Sequence, residues 1–383
     1  MPSLVKRIKK LVGGSKKGAT PRPADPLQDS LSDPLSSADV KRSKHLSTAT
    51  ATGGVTALKF NKGVNTQSRH GFFKASTGKI EDPFVGQTQV GEDVRESRLR
   101  YNREKGKAKR EGRSLDTVQA PLADVTAEQL HLGARAVTSS RLDQMLGTDS
   151  LSEERFTELN GQKGVTSMRA QGAQIRQDTR GPSPAEGSEG PLHQGYLDVD
   201  FSNPETQRSL ANLQVNDYLS GQVDRHSGNL FMDKGGHVRG IDNDLSFGDR
   251  FDTEFQDAGD MSKHVRNMPE LIDRATAERI LAMDQLEYLQ MLEGSSSDLE
   301  HLSHSEVAAA FDRFVRLQQH VEGLLLKSQG ADVDVKGRLV DDWNADTYTE
   351  TMGSDQNSYT KQFSQEIAAV KNGEIPRANL RKK

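Results

Sequence analysis

The stretch 223–248 reads VDRHSGNLFMDKGGHVRGIDNDLSFG, and few folded forms accommodate it. A loop holding Gly228 runs into an apolar strand at 230–232, turns at Lys234, Gly235 and Gly236, and returns as a strand at 238–241. Glycines at the turn with strand-forming residues on either side mark a hairpin. A hairpin sets its two open ends side by side. Asp224 and Asn229 enter at one end; Asp242 leaves at the other, followed by Asn243 and Asp244. Asp224, Asn229 and Asp242 therefore fall close enough to share a cation. Hard oxygen ligands of this kind suit Mg²⁺ or Mn²⁺. An Asp-Asn pair in a hairpin is also ordinary turn chemistry. A calcium loop of the EF-hand type is disfavoured, because the alternating carboxylates and the terminal Glu are missing.

Little of the chain is available for a core around this hairpin. Only 33% of the 383 residues are apolar and 5% aromatic, so one core with long polar tails and loops is expected. No run approaches the ~18 consecutive apolar residues of a membrane-spanning helix. The absence of Cys excludes disulfides, cysteine nucleophiles and Cys-ligated zinc. With 51 basic against 55 acidic residues the net charge is -4, which gives no electrostatic case for a nucleic-acid partner. The charge is uneven. Residues 1–22 carry seven Lys or Arg and no acid, and no apolar segment follows them, so they are not a secretory signal. Leu4, Ile8, Leu11 and Val12 recur there at helical spacing. This basic N-terminus is a candidate for peripheral contact with an anionic membrane, and a solvated tail is the plainer reading. Residues 95–113 hold nine Lys or Arg and read as a solvated exposed helix or insertion rather than a phosphate-binding patch.

The organisation follows from periodicity and breakers. Residues 1–50 read as a disordered, basic, Ser/Thr/Pro-rich leader. Strands at 55–60 and at Gly71-Phe72-Phe73-Lys74, with breakers between them, make a hairpin. Thr126 and Gln129 form a capping box ahead of a helix that Gly147 ends. Residues 164–168 are a short strand, and 176–195 a flexible linker. Residues 204–219 are helical, with Leu210, Leu213, Val215 and Leu219 on the apolar face. Two amphipathic helices follow at 269–292, opened by Pro269, and at 305–326. Residues 328–383 lose periodicity and read as a mobile tail. The fold expected is α+β in two lobes: a small β-rich N-lobe over 51–175 and a mainly helical C-lobe over 196–327, with a cleft between them.

Phosphoryl transfer from a nucleotide needs one carboxylate at the attacking hydroxyl, a second carboxylate and an amide oxygen for the metal, and a lysine against the phosphates. The interval from Asp224 to Asn229 is that of the protein-kinase catalytic loop, H-R-D-x-x-x-x-N. Asp224-Arg225-His226 with Asn229 resembles the D-R-H-x-x-N loop of phosphatidylinositol 3- and 4-kinases. Gly240-Ile241-Asp242-Asn243-Asp244-Leu245-Ser246-Phe247 is similar to the I-D-N-G-L-A-F metal-binding segment of type II phosphatidylinositol 4-kinases, and to the D-N-G-x-x-F-G segment of related secretory-pathway protein kinases. Gly71-Phe72-Phe73-Lys74 matches the strand that carries their nucleotide-binding lysine. The run from Arg135 through Arg141-Leu142-Asp143-Gln144-Met145-Leu146-Gly147 resembles a helix of bacterial, often secreted, members that ends R-L-D-x-L-L-G. The resemblance spans about residues 50–325.

The resemblance implies a two-lobed, protein-kinase-like fold and a metal-dependent kinase that uses ATP with Mg²⁺ or Mn²⁺. It implies that Lys74 contacts the nucleotide phosphates, that Asp224 is catalytic with help from His226, and that Asn229 and Asp242 bind the metal. Gly53 and Gly54 would begin a loop over the phosphates. The acceptor it implies is a hydroxyl of a host protein or of an inositol lipid. The similarity to secreted bacterial proteins implies an effector exported into a host cell; otherwise the protein is expected to be cytoplasmic. Two features depart from the pattern. The helix over 134–146 has no Glu to pair with Lys74, leaving Glu96 and Glu128 as candidates, and Asp244 stands where relatives often have Gly. An inert or repurposed kinase-like binding module, or an adenylyl transferase, is the alternative.

Overall fold

The computed structural model describes residues 33–50, 53–77, 89–122, 126–180, 192–248 and 268–371. The N-terminal half builds a six-stranded sheet from β1 (Leu35–Ser36), β2 (Val40–Thr50), β3 (Gly53–Phe60), β4 (His70–Ala75), β5 (Glu154–Leu159) and β6 (Gln162–Met168). The spatial order is β1-β5-β6-β4-β3-β2. Adjacent strands from β5 to β2 are antiparallel, and β1 joins β5 in parallel. Leu58, Phe60, Phe73 and Met168 form the core of one face. On β4 the buried residues are Gly71 and Phe73. Side chains alternate along a strand, so Lys74 projects from the other face.

Between β4 and β5 the chain inserts α1 (Gln89–Arg110) and α2 (Leu132–Leu146). The basic run thus lies on a 22-residue helix as far as Arg110, with Arg100, Arg103, Lys107, Lys109 and Arg110 exposed. Thr126 and Gln129 make the reciprocal capping bonds, 2.9 and 3.3 Å. They cap a single 3-10 turn, however, and α2 starts only after His131, which adopts a left-handed φ of 54°. Gly147, with φ 60°, closes α2 as expected.

The helical half follows: β7 (Ala173–Gln174), β8 (Arg176–Arg180), β9 (Leu192–Tyr196), α3 (Pro204–Ser220), β10 (Leu230–Met232), β11 (Val238–Gly240), β12 (Leu271–Asp273), α4 (Arg274–Ala282), α5 (Gln285–Glu293), α6 (His304–Ser328), β13 (Arg338–Val340), α7 (Ala345–Gly353) and α8 (Tyr359–Lys371). Helices α2 to α6 share one core, in which Tyr288 stacks on Phe314 with centroids 4.0 Å apart. The whole is the expected α+β, two-lobed, kinase-like architecture.

Four segments differ from expectation. The leader is shorter, because residues 33–50 supply β1 and the outer strand β2; residues 1–32, with the basic amphipathic segment, lie outside the described residues. Lys41, Arg42, Lys44 and His45 on β2 are exposed. A charged edge strand has no apolar alternation to read, which is how such edges avoid pairing with other chains. Residues 176–180 and 192–195 belong to a β8–β9 ladder rather than a linker, and residues 181–191 lie outside the described residues. Pro269 precedes a strand, Asp273 caps the helix that follows, and that helix breaks at Met283. The segment after Ser328 is no tail as far as residue 371: Tyr359, Phe363 and Ile367 enter a core with Leu210, Leu213 and Leu230. Residues 372–383 lie outside the described residues.

Candidate active site

The catalytic-loop segment follows α3. That helix begins with Asn203 as N-cap and Pro204 in its first turn, and ends at Gly221 with φ 63°. The expected hairpin is β10 paired with β11, in register Leu230 with Gly240. Beyond the paired strands the Ile241 N–H donates to the Asn229 carbonyl at 2.9 Å. The hairpin exit therefore lies against the loop, and Asp242, at a left-handed φ of 62°, turns away from the strand direction. Gln222 clips the two ends together. Its amide nitrogen donates to the Asp242 carbonyl at 3.2 Å, and its amide oxygen accepts from the Asp224 N–H at 2.9 Å.

Lys74 arrives from the sheet. Its ammonium is ion-paired with Asp242 and lies 3.3 Å from Asp244 Oδ2. Burial works to lower its pKa, but the two carboxylates outweigh that and raise it. Lys74 holds Asp242 below the usual carboxylate range. Burial raises Asp244 in spite of the same ammonium, with the Asp242 charge adding to the shift. Asp224 is half-buried. Desolvation, then the charges of Asp242 and Asp244, push its carboxyl up to about 6. Asn229 is buried, and its amide nitrogen donates to the Asp224 carbonyl at 3.0 Å. His226 Nδ1 accepts the Gly228 N–H at 3.0 Å, and its Nε2 stands 4.0 Å from Asp224 Oδ1. An acceptor Nδ1 leaves the ring proton of the neutral imidazole on the nitrogen that faces Asp224. Gly53 and Gly54 open β3, with Gly53 paired to Thr50 of β2. Lys74 pairs with Val55, one residue further along β3, so the glycines lie at the Lys74 end of the sheet.

Sequence reasoning missed the groups behind this cluster. Arg225 is buried and held from three directions. It makes two bonds to the Asp217 carboxylate, 2.8 and 2.9 Å, one to Asn243 Oδ1, 2.7 Å, and one to the Ile241 carbonyl, 2.8 Å. Asn243 passes the network on to Glu154 Oε2 at 3.3 Å, and Ser167 donates to Glu154 Oε1 at 2.5 Å. Burial pushes the Glu154 carboxyl up to about 7, while the Lys74 charge pulls the other way. Glu154 and Lys74 also line one small cavity with Ser76, Leu132, Gly133 and Ala136, between the sheet and α2. Among the described residues, the ion-pair partners of Lys74 are Asp242 and Asp244, not Glu96 or Glu128, which are exposed. Helix α2 offers no carboxylate in their place. Its buried Arg135 is bonded to Glu306, 2.9 and 2.6 Å, and its Asp143 accepts from Thr148, Ser150 and Leu151.

The donor set fits a divalent ion bound chiefly through substrate phosphates. Three carboxylates, Asp224, Asp242 and Asp244, raise one another's charge burden against the single ammonium of Lys74, and Asn229 adds an amide oxygen. Among the described residues no three His, Asp or Glu side chains form a complete metal cage. A site that takes Mg²⁺ through one or two protein groups and phosphate oxygens needs none.

Residues 134–307, less than half of the chain, match the sequence model of the family described as Phosphatidylinositol 3- and 4-kinase. The matched span runs from Ala134, inside α2, to the first turn of α6 and holds the loop and the hairpin; Lys74 precedes it and α8 follows it. No curated protein matches the chain. Architecture and match together support a kinase-like protein, similar over its central part to the phosphatidylinositol 3- and 4-kinases.

Proposed function

We infer that the protein is a metal-dependent phosphotransferase that moves the γ-phosphate of ATP to a hydroxyl of a protein or an inositol lipid. One observation carries this reading: the ammonium of Lys74, from the sheet, meets Asp242 and Asp244 at the hairpin exit, beside Asp224. A lysine and acidic oxygens brought to one point from opposite lobes is the arrangement phosphoryl transfer requires.

In this reading Lys74 neutralises phosphate oxygens, while Asp242 and Asn229 hold the cation. When bound, that ion offsets charge on the bridging and terminal phosphate oxygens. Asp224 takes the proton of the acceptor hydroxyl as its oxygen bonds to the γ-phosphorus. The bond from that phosphorus to the β,γ-bridging oxygen breaks, and ADP leaves with the electron pair. His226, with its Nε2 toward Asp224, orients the carboxylate and the hydroxyl. Gly53 and Gly54, at the Lys74 end of the sheet, are assigned to a loop over the phosphates.

ADP release and phosphate incorporation into protein and inositol-lipid acceptors test this with pure full-length protein, Mg²⁺ and ATP. The wild type is expected to turn over ATP, and Asp242→Ala to lose about 100-fold or more of the rate. Wild-type turnover by Asp242→Ala would sink the assignment. The second reading, an inert or repurposed binding module, is favoured by the absence, among the described residues, of a helix carboxylate paired with Lys74. Nucleotide binding with no turnover would support it, and AMP rather than phosphate on the acceptor would mark an adenylyl transferase.

A further inference from the structure

We propose that α8, outside the matched span, is a working part of the site, and that Glu366 and Tyr359 are positioning residues for the loop that carries Asp224 and Asn229. The role assigned to that loop rests on the phosphotransfer reading; the contacts themselves do not. Ser227 lies between the two site residues and is fully buried, and its hydroxyl donates to Glu366 Oε1 at 2.8 Å. Tyr359, also fully buried, donates its hydroxyl to Asp217 Oδ2 at 3.0 Å. That same oxygen accepts from Arg225 Nε at 2.8 Å. One helix thus reaches the loop twice, directly through Ser227 and through the Asp217–Arg225 pair. Positions 359, 363 and 366 follow the two-turn stripe of a single helix face. Phe363 sits between the two polar contacts and packs in the core that holds Leu230 of β10. The face therefore has an apolar anchor against the core that holds β10, flanked by one hydrogen bond to the loop at Ser227 and one to Asp217 of α3, which holds Arg225.

The geometry of the loop gives these contacts their purpose. Ser227, Gly228 and Asn229 form a single 3-10 turn, and the Asn229 N–H donates to the His226 carbonyl at 2.8 Å. One such turn has a poor intrinsic hydrogen-bond geometry and is marginal alone. With Arg225 fixed on one side of the turn and Ser227 fixed within it, the spacing from Asp224 to Asn229 is set. Without Glu366 the Ser227 hydroxyl is a buried donor with no partner, and the turn is held from the Arg225 side alone.

The test compares full-length wild type with Glu366→Ala, Glu366→Gln, Ser227→Ala and the Glu366→Ala/Ser227→Ala double variant. Hydrogen exchange at the Gly228 and Asn229 amides reads the turn, and Mn²⁺-dependent binding of a non-hydrolysable ATP analogue reads its consequence. Glu366→Ala is expected to speed exchange at both amides about tenfold, with protection of the α3 amides unchanged, and to weaken Mn²⁺–nucleotide binding by a similar factor. Glu366→Gln keeps an acceptor for the hydroxyl and is expected to restore both. Ser227→Ala removes the donor and leaves α8 untouched, and the double variant is expected to be no worse than the poorer single one. Wild-type exchange at both amides in Glu366→Ala and Ser227→Ala, or additive losses in the double variant, would overturn the proposal. Exchange changes in a protein that binds no nucleotide would refute the phosphotransfer reading and leave the positioning contact standing.

Discussion

Glu154 lies behind Lys74 as a buried carboxyl with both oxygens bonded, to Ser167 and Asn243. Its two jobs separate by substitution. Glu154→Gln keeps the shape and an acceptor for Ser167 but removes the charge that Lys74 senses. The expected result is a folded protein with a melting temperature near wild type and ATP affinity reduced several-fold, read by calorimetry. Glu154→Leu strands Ser167 and the Asn243 amide, at a cost of about 1–3 kcal/mol for a buried unpaired group, and is expected to lower the urea midpoint as well. No sequence spacing announces this residue. It stands 89 positions from Asn243, and a contact of that range between a strand and a loop leaves no periodic trace. Asp224, Asn229 and Asp242 were readable because one hairpin carries all three. Lys74 was readable through its resemblance to a family strand. Gln222 and Arg225 act through hydrogen bonds that only the folded loop creates.

Two junctions hold the elements in place. In the hairpin, Gly240 lets the Arg225 guanidinium through: a Cβ there would lie 2.6 Å from Nη1. The guanidinium cannot retreat, because Asp217, Asn243 and Ile241 hold it. Gly240→Ala is expected to cost about 1–3 kcal/mol by overpacking and to impair turnover more than a cavity-forming change of equal cost elsewhere, as measured by urea titration beside the ATP assay. The second junction joins α2 to the start of α6 through Glu306, His131 and Arg135. Burial would raise the Glu306 carboxyl, but the His131 hydrogen bond and the Arg135 guanidinium bring it down to about 2. A carboxyl depressed on folding adds stability above its ordinary value near 4.5 and loses it as pH falls toward 2, by about 3 kcal/mol in all. The wild-type urea midpoint should fall across that window, and Glu306→Gln, weaker at pH 6, should show a flatter decline. The α2 boundary was misread because the Thr126–Gln129 box caps an isolated turn. Its bonds are real, but His131 restarts the chain in a new direction.

The C-terminal segment 338–371 changes the unit that folds. Tyr359, Phe363 and Ile367 are fully or almost fully buried, and burying such side chains contributes about 1.5–3 kcal/mol each. Their sum rivals the ~5–15 kcal/mol net stability of a whole domain. A chain ending at Gly337 is therefore expected to be largely unfolded or aggregated, seen as loss of the cooperative melting transition. This segment was hidden from periodicity because hydroxyls share its inward face: Thr347, Thr351, Ser358 and Thr360 are buried together with Leu339, Val340, Trp343, Tyr359, Phe363 and Ile367. Helical hydroxyls that serve as packing surface look like tail composition when read one by one. The central half of the protein was legible because it alternates or repeats at 3.6 residues. Both ends were not, since one is a charged edge and the other a hydroxyl-rich cover.

That outer strand β2 has its own consequence for how copies of this protein meet. Lys41, Arg42 and Lys44 stand along a row of backbone donors and acceptors that no other strand pairs among the described residues. Two such rows brought together would place cation against cation before a single inter-chain ladder bond could close. Crowded solutions of the protein should therefore resist fibril growth from this flank at low ionic strength, and that protection should fade once salt shortens the reach of the repulsion.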